Sequence, residues 1–217
     1  MESSDNTIEI AKLFGCKIVI FPKGDYNICE PARNTAIQSA SNDWVLIVDA
    51  DETVTPQLVK YLYDRISEEN CPEAIMIPRR NKLLDAFDES TYPDYQCRFV
   101  RKDKVDWPAF IHAKPIINGR TEKIPAKRKE LALIHAQEST SSYFLKICRY
   151  TDNDAIKRSG KHVTLAKLVF EPLFYFIKMY FLKGGIFHGI VGYVGAQRLC
   201  FYRFLLLCKI YERELKK

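Results

Sequence analysis

The sequence predicts an α/β fold in which a buried sheet strand delivers carboxylates to a ligand site, followed by a basic helical tail. Three observations carry that expectation. Trp44-Val45-Leu46-Ile47-Val48 runs without a polar break and ends in Asp49-Ala50-Asp51-Glu52. An apolar run rich in Val and Ile reads as a strand buried on both faces, as in a parallel sheet, and ligands of open α/β sheets bind beyond the carboxyl ends of such strands. Strand-like runs then alternate with segments of helical period. Finally the composition shifts: residues 157–217 hold 12 Lys and Arg against 3 acids, in a chain of 217 residues with a net charge of +6. The sequence thus divides into a domain over residues 1–156 and a basic, aromatic-rich helical tail over residues 157–217.

A hydrophobic content of 47% with 28% charged residues excludes a disordered chain. The seven cysteines are odd in number and form no C-x-x-C pair. Neither a disulfide framework nor a zinc site is expected, and the compartment reads as reducing. The polar start Met1-Glu2-Ser3-Ser4-Asp5-Asn6 is not a signal peptide.

Taken in order, Asp5 or Ser4 caps a helix over about residues 7–14, closed by Gly15. Lys17-Ile18-Val19-Ile20-Phe21 reads as a short strand and residues 22–27 as a loop. Pro31 opens the next helix, whose apolar face is Ala32, Ala36, Ile37 and Ala40. After the acidic block, Thr53 or Thr55 caps a helix reaching Ile66, with Leu58, Leu62 and Ile66 at i, i+4 and i+8. Ala74-Ile75-Met76-Ile77 is a buried strand with Pro78-Arg79-Arg80-Asn81 at its end. Residues 83–92 form an acidic loop, and residues 96–100 a strand. Residues 107–110, 114–117 and 131–134 read as further strands around a turn at Gly119. Residues 139–155 read as a helix with Tyr143, Ile147 and Tyr150 on one face.

In the tail, residues 163–182 and 186–211 are apolar but interrupted by Lys, Arg, Glu and Pro. Neither is a clean transmembrane run. Scattered cations among many Phe, Tyr and Leu suit helices lying in a membrane interface on anionic lipid. The other reading is a helical pair packed on the domain or on a twin subunit.

The chemistry begins at the acidic block. Asp49 and Asp51 are two apart, so in extended chain they point the same way. Two hard oxygen donors suit Mg²⁺ or Mn²⁺, and hence a diphosphate. The alternative is a solvated turn after a strand, because D-x-D is short and common. Arg79 and Arg80 are suited to phosphate oxygens, or to a basic turn.

Arg33-Asn34, the run from Asn42 to Glu52, Pro78-Arg79-Arg80-Asn81 and Tyr92-Pro93-Asp94-Tyr95-Gln96-Cys97-Arg98-Phe99 occur in this order. The series resembles the family 2 glycosyltransferases of the GT-A fold, and among them the enzymes that add sugars to bacterial lipopolysaccharide cores. The resemblance covers almost the whole chain. It implies a Rossmann-like mixed sheet and inverting transfer of a sugar from a nucleotide-sugar to a cell-surface glycolipid or polysaccharide acceptor. It also implies site residues. Arg33, Asn34 and Asp49 line the donor site, with Arg79 and Arg80 near the phosphates. Asp51, with Asp49 and His135, holds a divalent cation. Asp94 is the general base that takes the proton of the attacking hydroxyl. For Asp94 the other reading is an acid fixing the turn after Pro93; for His135 it is a histidine tying a loop to backbone.

The chain departs from the family pattern twice. His112 is followed by Ala113 and Lys114 where relatives carry Glu, which weakens any His-Glu pair there. Residues 3–11 match the later part of the family's opening segment, so a βαβ unit of at least ~30 residues is expected to be missing. The chain then reads as a fragment or late start of a longer protein. The implied partners are the nucleotide-sugar, the glycolipid acceptor and an anionic surface on the cytoplasmic side of the cell membrane. Nucleic acid is disfavoured, since the cations are spread through apolar helices and form no polar stripe. An inactive fragment and a non-enzymatic membrane-binding module stand as alternative functions.

Overall fold

The computed structural model describes all residues except 1, 4, 23, 25, 27, 28, 110–113, 137, 138, 159 and 217. Ser4, Phe110 and His112 therefore lie outside the described residues. In chain order the elements begin with α1 (Thr7–Leu13), α2 (Glu30–Gln38), β1 (Trp44–Leu46), β2 (Glu52–Thr53), α3 (Pro56–Ile66) and β3 (Ala74–Ile77). They continue with β4 (Arg79–Leu83), β5 (Ala86–Phe87), β6 (Gln96–Arg101), β7 (Val105–Asp106), β8 (Ile116–Ile117) and β9 (Thr121–Lys123). β10 (Leu133–His135), α4 (Thr140–Lys157), α5 (Leu165–Ile177) and α6 (Gly189–Leu215) complete the chain. Two compact units result. The first comprises Met1–Ala50, Val54–Pro78 and Tyr95–Ala132; the second comprises Asp51–Thr53, Arg79–Asp94 and Leu133–Lys217.

The first unit holds a four-stranded sheet in the order β1-β6-β3-β9. β6 runs antiparallel to both β1 and β3, while β3 and β9 are parallel. The strand interiors are apolar, and Ile75, Ile77, Phe99 and Val100 are buried. Thr55 caps α3 as its spacing predicts: its hydroxyl accepts from the Leu58 amide at 3.2 Å, and Leu58 and Leu62 are buried. A separate apolar cluster joins Ile37 of α2 to Trp107, Val45 and Ile47.

Two expectations are corrected here. The strand ahead of the acids is short and half-buried and pairs with β6 antiparallel. It is not a strand buried on both faces of a parallel sheet. Its apolar residues are instead shared between the ladder and the α2 cluster. Residues 17–21 form no strand among the described residues; an extended run becomes a strand only by exchanging hydrogen bonds with a neighbour.

The second unit holds a sheet in the order β2-β10-β4-β5. β10 is antiparallel to β2 and parallel to β4, and β4 turns antiparallel into β5. Both sheets therefore mix parallel and antiparallel neighbours, the mixed-sheet α/β class that the sequence predicts. Residues 79–83 are a strand and not a basic turn, because β10 supplies a partner from 54 residues downstream. Leu84 and Asp85, with φ of 51° and 59°, make the tight hairpin into β5 inside the stretch read as a loop.

Ser139 caps α4, accepting from the Ser142 amide at 3.1 Å. Ala155, Val163, Leu206, Leu207 and Ile210 form the core that joins α4 and the tail helices. Arg203 on α6 is ion-paired with Glu171 on α5. The last residue of α4 is Lys157. Gly185–Leu215 is long and apolar enough to cross a membrane by length and composition, with a mean hydropathy of 1.2, and 22% of its apolar window is buried.

Candidate active site

The two units build separate clusters around the acidic block. In the first unit, the Ile47 amide donates to the Arg98 carbonyl at 2.7 Å and so extends the β1–β6 ladder towards Asp49. The Asp49 carboxylate then receives two guanidinium groups. Arg33 of α2 donates to both of its oxygens at 3.1 and 3.4 Å, and Arg98 of β6 is bonded to Oδ2. Burial of the carboxyl opposes ionisation, but the charges of Arg98 and Arg33 outweigh it and hold Asp49 below the usual carboxylate value. Arg33 also lies 4.8 Å over the Trp107 ring. Asn34 is spent on the backbone: it donates to the Trp107 carbonyl at 3.1 Å, accepts from the Trp107 amide at 2.8 Å and donates to Asp106 at 2.8 Å.

In the second unit, one ladder row lines up Glu52, His135 and Asn81 on β2, β10 and β4. Side chains alternate along a strand, so Arg79 and Asn81 share a face and Arg80 points the other way. Arg79 reaches Asp94 twice, from Nε at 3.0 Å and from Nη2 at 2.7 Å, and its Nη1 donates to Glu52 at 3.0 Å. Asn81 adds a donor to the same Asp94 oxygen at 3.3 Å. The Glu52 side chain is fully buried, whereas 30% of the Asp94 side chain is exposed. Burial disfavours the Arg79 charge, but Asp94 and Glu52 more than compensate and raise its pKa. Arg80 instead pairs with Glu89 at 2.6 Å and covers the Phe87 ring.

At the middle of the row, His135 Nε2 lies 3.1 Å from Asp51 Oδ2, and the Ala136 amide donates to the Asp51 carbonyl at 2.7 Å. Among the described residues no group of three or more His, Cys, Asp and Glu side chains converges. Asp51 and His135 are hydrogen-bonded to each other, at a separation that two ligands of one cation would also have. Two ligands at ~2.1 Å from a metal and at right angles to it are roughly 3 Å apart, and Mg²⁺ commonly takes one or two carboxylates while water and phosphate fill the rest.

A cavity of about 420 Å³ lies within the second unit. His135 and Asn81 contribute to one wall, α4 contributes Tyr143 and Lys146, and α6 contributes Arg198 and Tyr202. The helical face read from Tyr143 and Ile147 thus fronts a cavity.

Three residues were not singled out in the sequence. Arg98 lay inside the Tyr92–Phe99 motif, and an arginine centred in an apolar strand is itself the sign of a buried charge pair. Glu52 carried the signal of a third acid in four positions. Asn81 had no signal beyond adjacency to the arginines.

Comparison with known proteins adds the following. The sequence model of the family described as Glycosyl transferase family 2 matches residues 2–113. A protein of Rickettsia conorii named as an uncharacterized glycosyltransferase is 24% identical over 232 residues, covering 99% of this chain and 79% of that protein. One of Rickettsia typhi with the same description is 25% identical over 241 residues, covering 99% and 77%. The lipopolysaccharide core biosynthesis glycosyltransferase LpsC of Rhizobium meliloti is 25% identical over 192 residues, covering 85% of this chain and 70% of its own length.

Proposed function

We propose a specific reaction for this chain, which belongs to glycosyl transferase family 2 and is a glycosyltransferase: it moves a sugar from a nucleotide-sugar to a hydroxyl of a lipid-linked saccharide of the bacterial cell envelope. The observation that carries this reading is the ladder row Glu52–His135–Asn81, with Asp51 bonded at His135 and Asp94 at Asn81. The similarity to LpsC supports an acceptor of the lipopolysaccharide-core type.

Asp94 takes the proton of the acceptor hydroxyl as that oxygen bonds to the anomeric carbon. The bond from that carbon to the diphosphate oxygen breaks, and its electron pair leaves with the nucleoside diphosphate. Attack opposite the leaving group inverts the anomeric centre. Arg79 and Asn81 grip Asp94 Oδ2 and so fix the carboxylate's orientation. Asp51 and His135 would hold a Mg²⁺ or Mn²⁺ ion, which supplies charge neutralisation at the departing diphosphate. Arg33, Asn34 and Asp49 are assigned to the donor by family resemblance, and Arg98 joins them through Asp49. Both adjacent arginines are engaged with carboxylates, Arg79 with Asp94 and Glu52 and Arg80 with Glu89, so a phosphate would reach only their remaining N–H groups.

The tail attaches the enzyme to the inner face of the cell membrane. Phe170, Leu182, Phe187 and Ile190 are 65–85% exposed, and Lys167, Lys178 and Lys183 are interspersed among them. Apolar rings with flanking cations suit an anionic lipid surface.

The test is release of nucleoside diphosphate from a panel of nucleotide-sugars, with and without a membrane glycolipid extract and Mn²⁺. Acceptor-stimulated release from one donor is expected. Failure to bind any nucleotide-sugar would overturn the reading.

A further inference from the structure

We propose that the cavity of the second unit is the acceptor pocket and that it selects an anionic sugar, one bearing a phosphate or a carboxylate. This inference rests on the transferase reading above. At about 420 Å³ the cavity falls in the ordinary range for small ligands, ~300–1,000 Å³.

Its charge is uneven. Lys82, Lys146 and Arg198 line it against one acid among the described residues, Asp88. That acid is engaged locally, with Oδ1 accepting from the amide and the hydroxyl of Ser90. The cations are held in place by aromatic partners. Arg198 lies 4.3 Å over the Tyr143 ring, and the Tyr143 hydroxyl donates to the Arg198 carbonyl at 2.9 Å. Lys146 stands 5.9 Å from the Tyr150 ring centre. Lys146 and Arg198 are both half-buried. A neutral sugar entering here would strip water from Lys82 and Arg198 and return only weak hydrogen bonds. An anionic substituent would return charge-assisted ones. The tyrosine rings supply flat apolar surface for the sugar ring itself.

Position agrees with charge. The wall carrying His135 and Asn81 belongs to the row that holds Asp51 and Asp94. A saccharide in the cavity therefore lies against Asn81, which is bonded to the proposed base.

The experiment is calorimetric titration of the full chain with three octyl glycosides: a neutral hexoside, its 6-phosphate and the matching hexuronide. At least one anionic glycoside should bind about tenfold more tightly than the neutral one, the scale of one charge-assisted hydrogen bond. Lys146→Gln and Arg198→Gln should each erase most of that margin while affecting the neutral hexoside little. The ranking of phosphate against carboxylate identifies the substituent. Should either variant fail to fold by circular dichroism, the exposed Lys82→Gln carries the same comparison. Equal binding of all three glycosides, no binding of any, or variants that weaken neutral and anionic ligands alike would overturn the pocket assignment. Nucleotide-sugar turnover by the unmodified chain tests the transferase reading separately. Turnover without a charge preference overturns the pocket alone, and a charge preference without turnover overturns the transfer alone.

Discussion

Arg79 donates from Nε and Nη2 to a single oxygen of Asp94, and its Nη1 reaches fully buried Glu52. One guanidinium thus ties an interior acid to a half-exposed one. The interior acid anchors the arginine, and the arginine sets the angle of the acid proposed to act as base.

Asp94→Asn keeps the shape and the bonding to Arg79 but removes the basic oxygen. Turnover should fall by about 10²–10⁴-fold, the usual contribution of a positioned base. Nucleotide-sugar affinity, measured by calorimetry, should move less than about threefold. Equal losses in affinity and turnover would reassign Asp94 to donor binding.

Arg79→Met removes the guanidinium that meets Glu52 in the interior. The expected loss is about 3 kcal/mol in urea unfolding, at the low end for a broken buried pair because 19% of the Arg79 side chain remains exposed. Pairing Arg79→Met with Glu52→Gln should recover a large part of that stability. Recovery would show that the penalty came from removing the Arg79 charge beside buried Glu52.

Acid should weaken the fold through Asp49. Its carboxyl pKa in the folded chain lies below the ordinary 3.8. The stabilisation is therefore present above that ordinary value and is lost as pH falls through the lower folded one. Asp49→Asn should be less stable than the parent at neutral pH, and the gap should narrow as pH falls below the ordinary carboxylate value. Denaturant midpoints across this window measure it.

Gly192→Ala should destabilise the second unit, because a Cβ there would overlap the Gly185 carbonyl. Backbone cannot step aside as a flexible side chain can, so about 1–3 kcal/mol is expected. Gly15→Ala meets no atom within 4 Å but sits at φ +65°, and it separates left-handed strain from overlap. Thermal unfolding of the two variants distinguishes them.

Phe187→Asp together with Leu182→Asp should release the chain from anionic vesicles in flotation, and raised salt should weaken attachment of the parent. Attachment that survives both changes would locate the anchoring elsewhere.

The motifs were easier to read than the connections between them. The family resemblance pointed to Asp94, while Asp49, Asp51, Arg79 and His135 follow apolar runs and so stand out locally. Thr55 and Ser139 announced their helices for the same reason. What a local pattern cannot encode is the partner. Arg79–Asn81 could also be read as a turn because their ladder mate β10 is distant in sequence, and Trp44–Leu46 read as a parallel-sheet strand because the sequence does not reveal its antiparallel mate β6. The opposite facing of Arg79 and Arg80 follows from strand alternation once the strand is known, and the cavity needs three distant segments at once.

The apolar surface of α5 and α6 carries a kinetic corollary. An enzyme held on a lipid film meets its acceptor in two dimensions. Under the proposed attachment, velocity would track the mole fraction of acceptor within the film and not its bulk molarity. Diluting that film with inert lipid, at constant total acceptor, would slow the enzyme even though nothing dissolved in the water had changed.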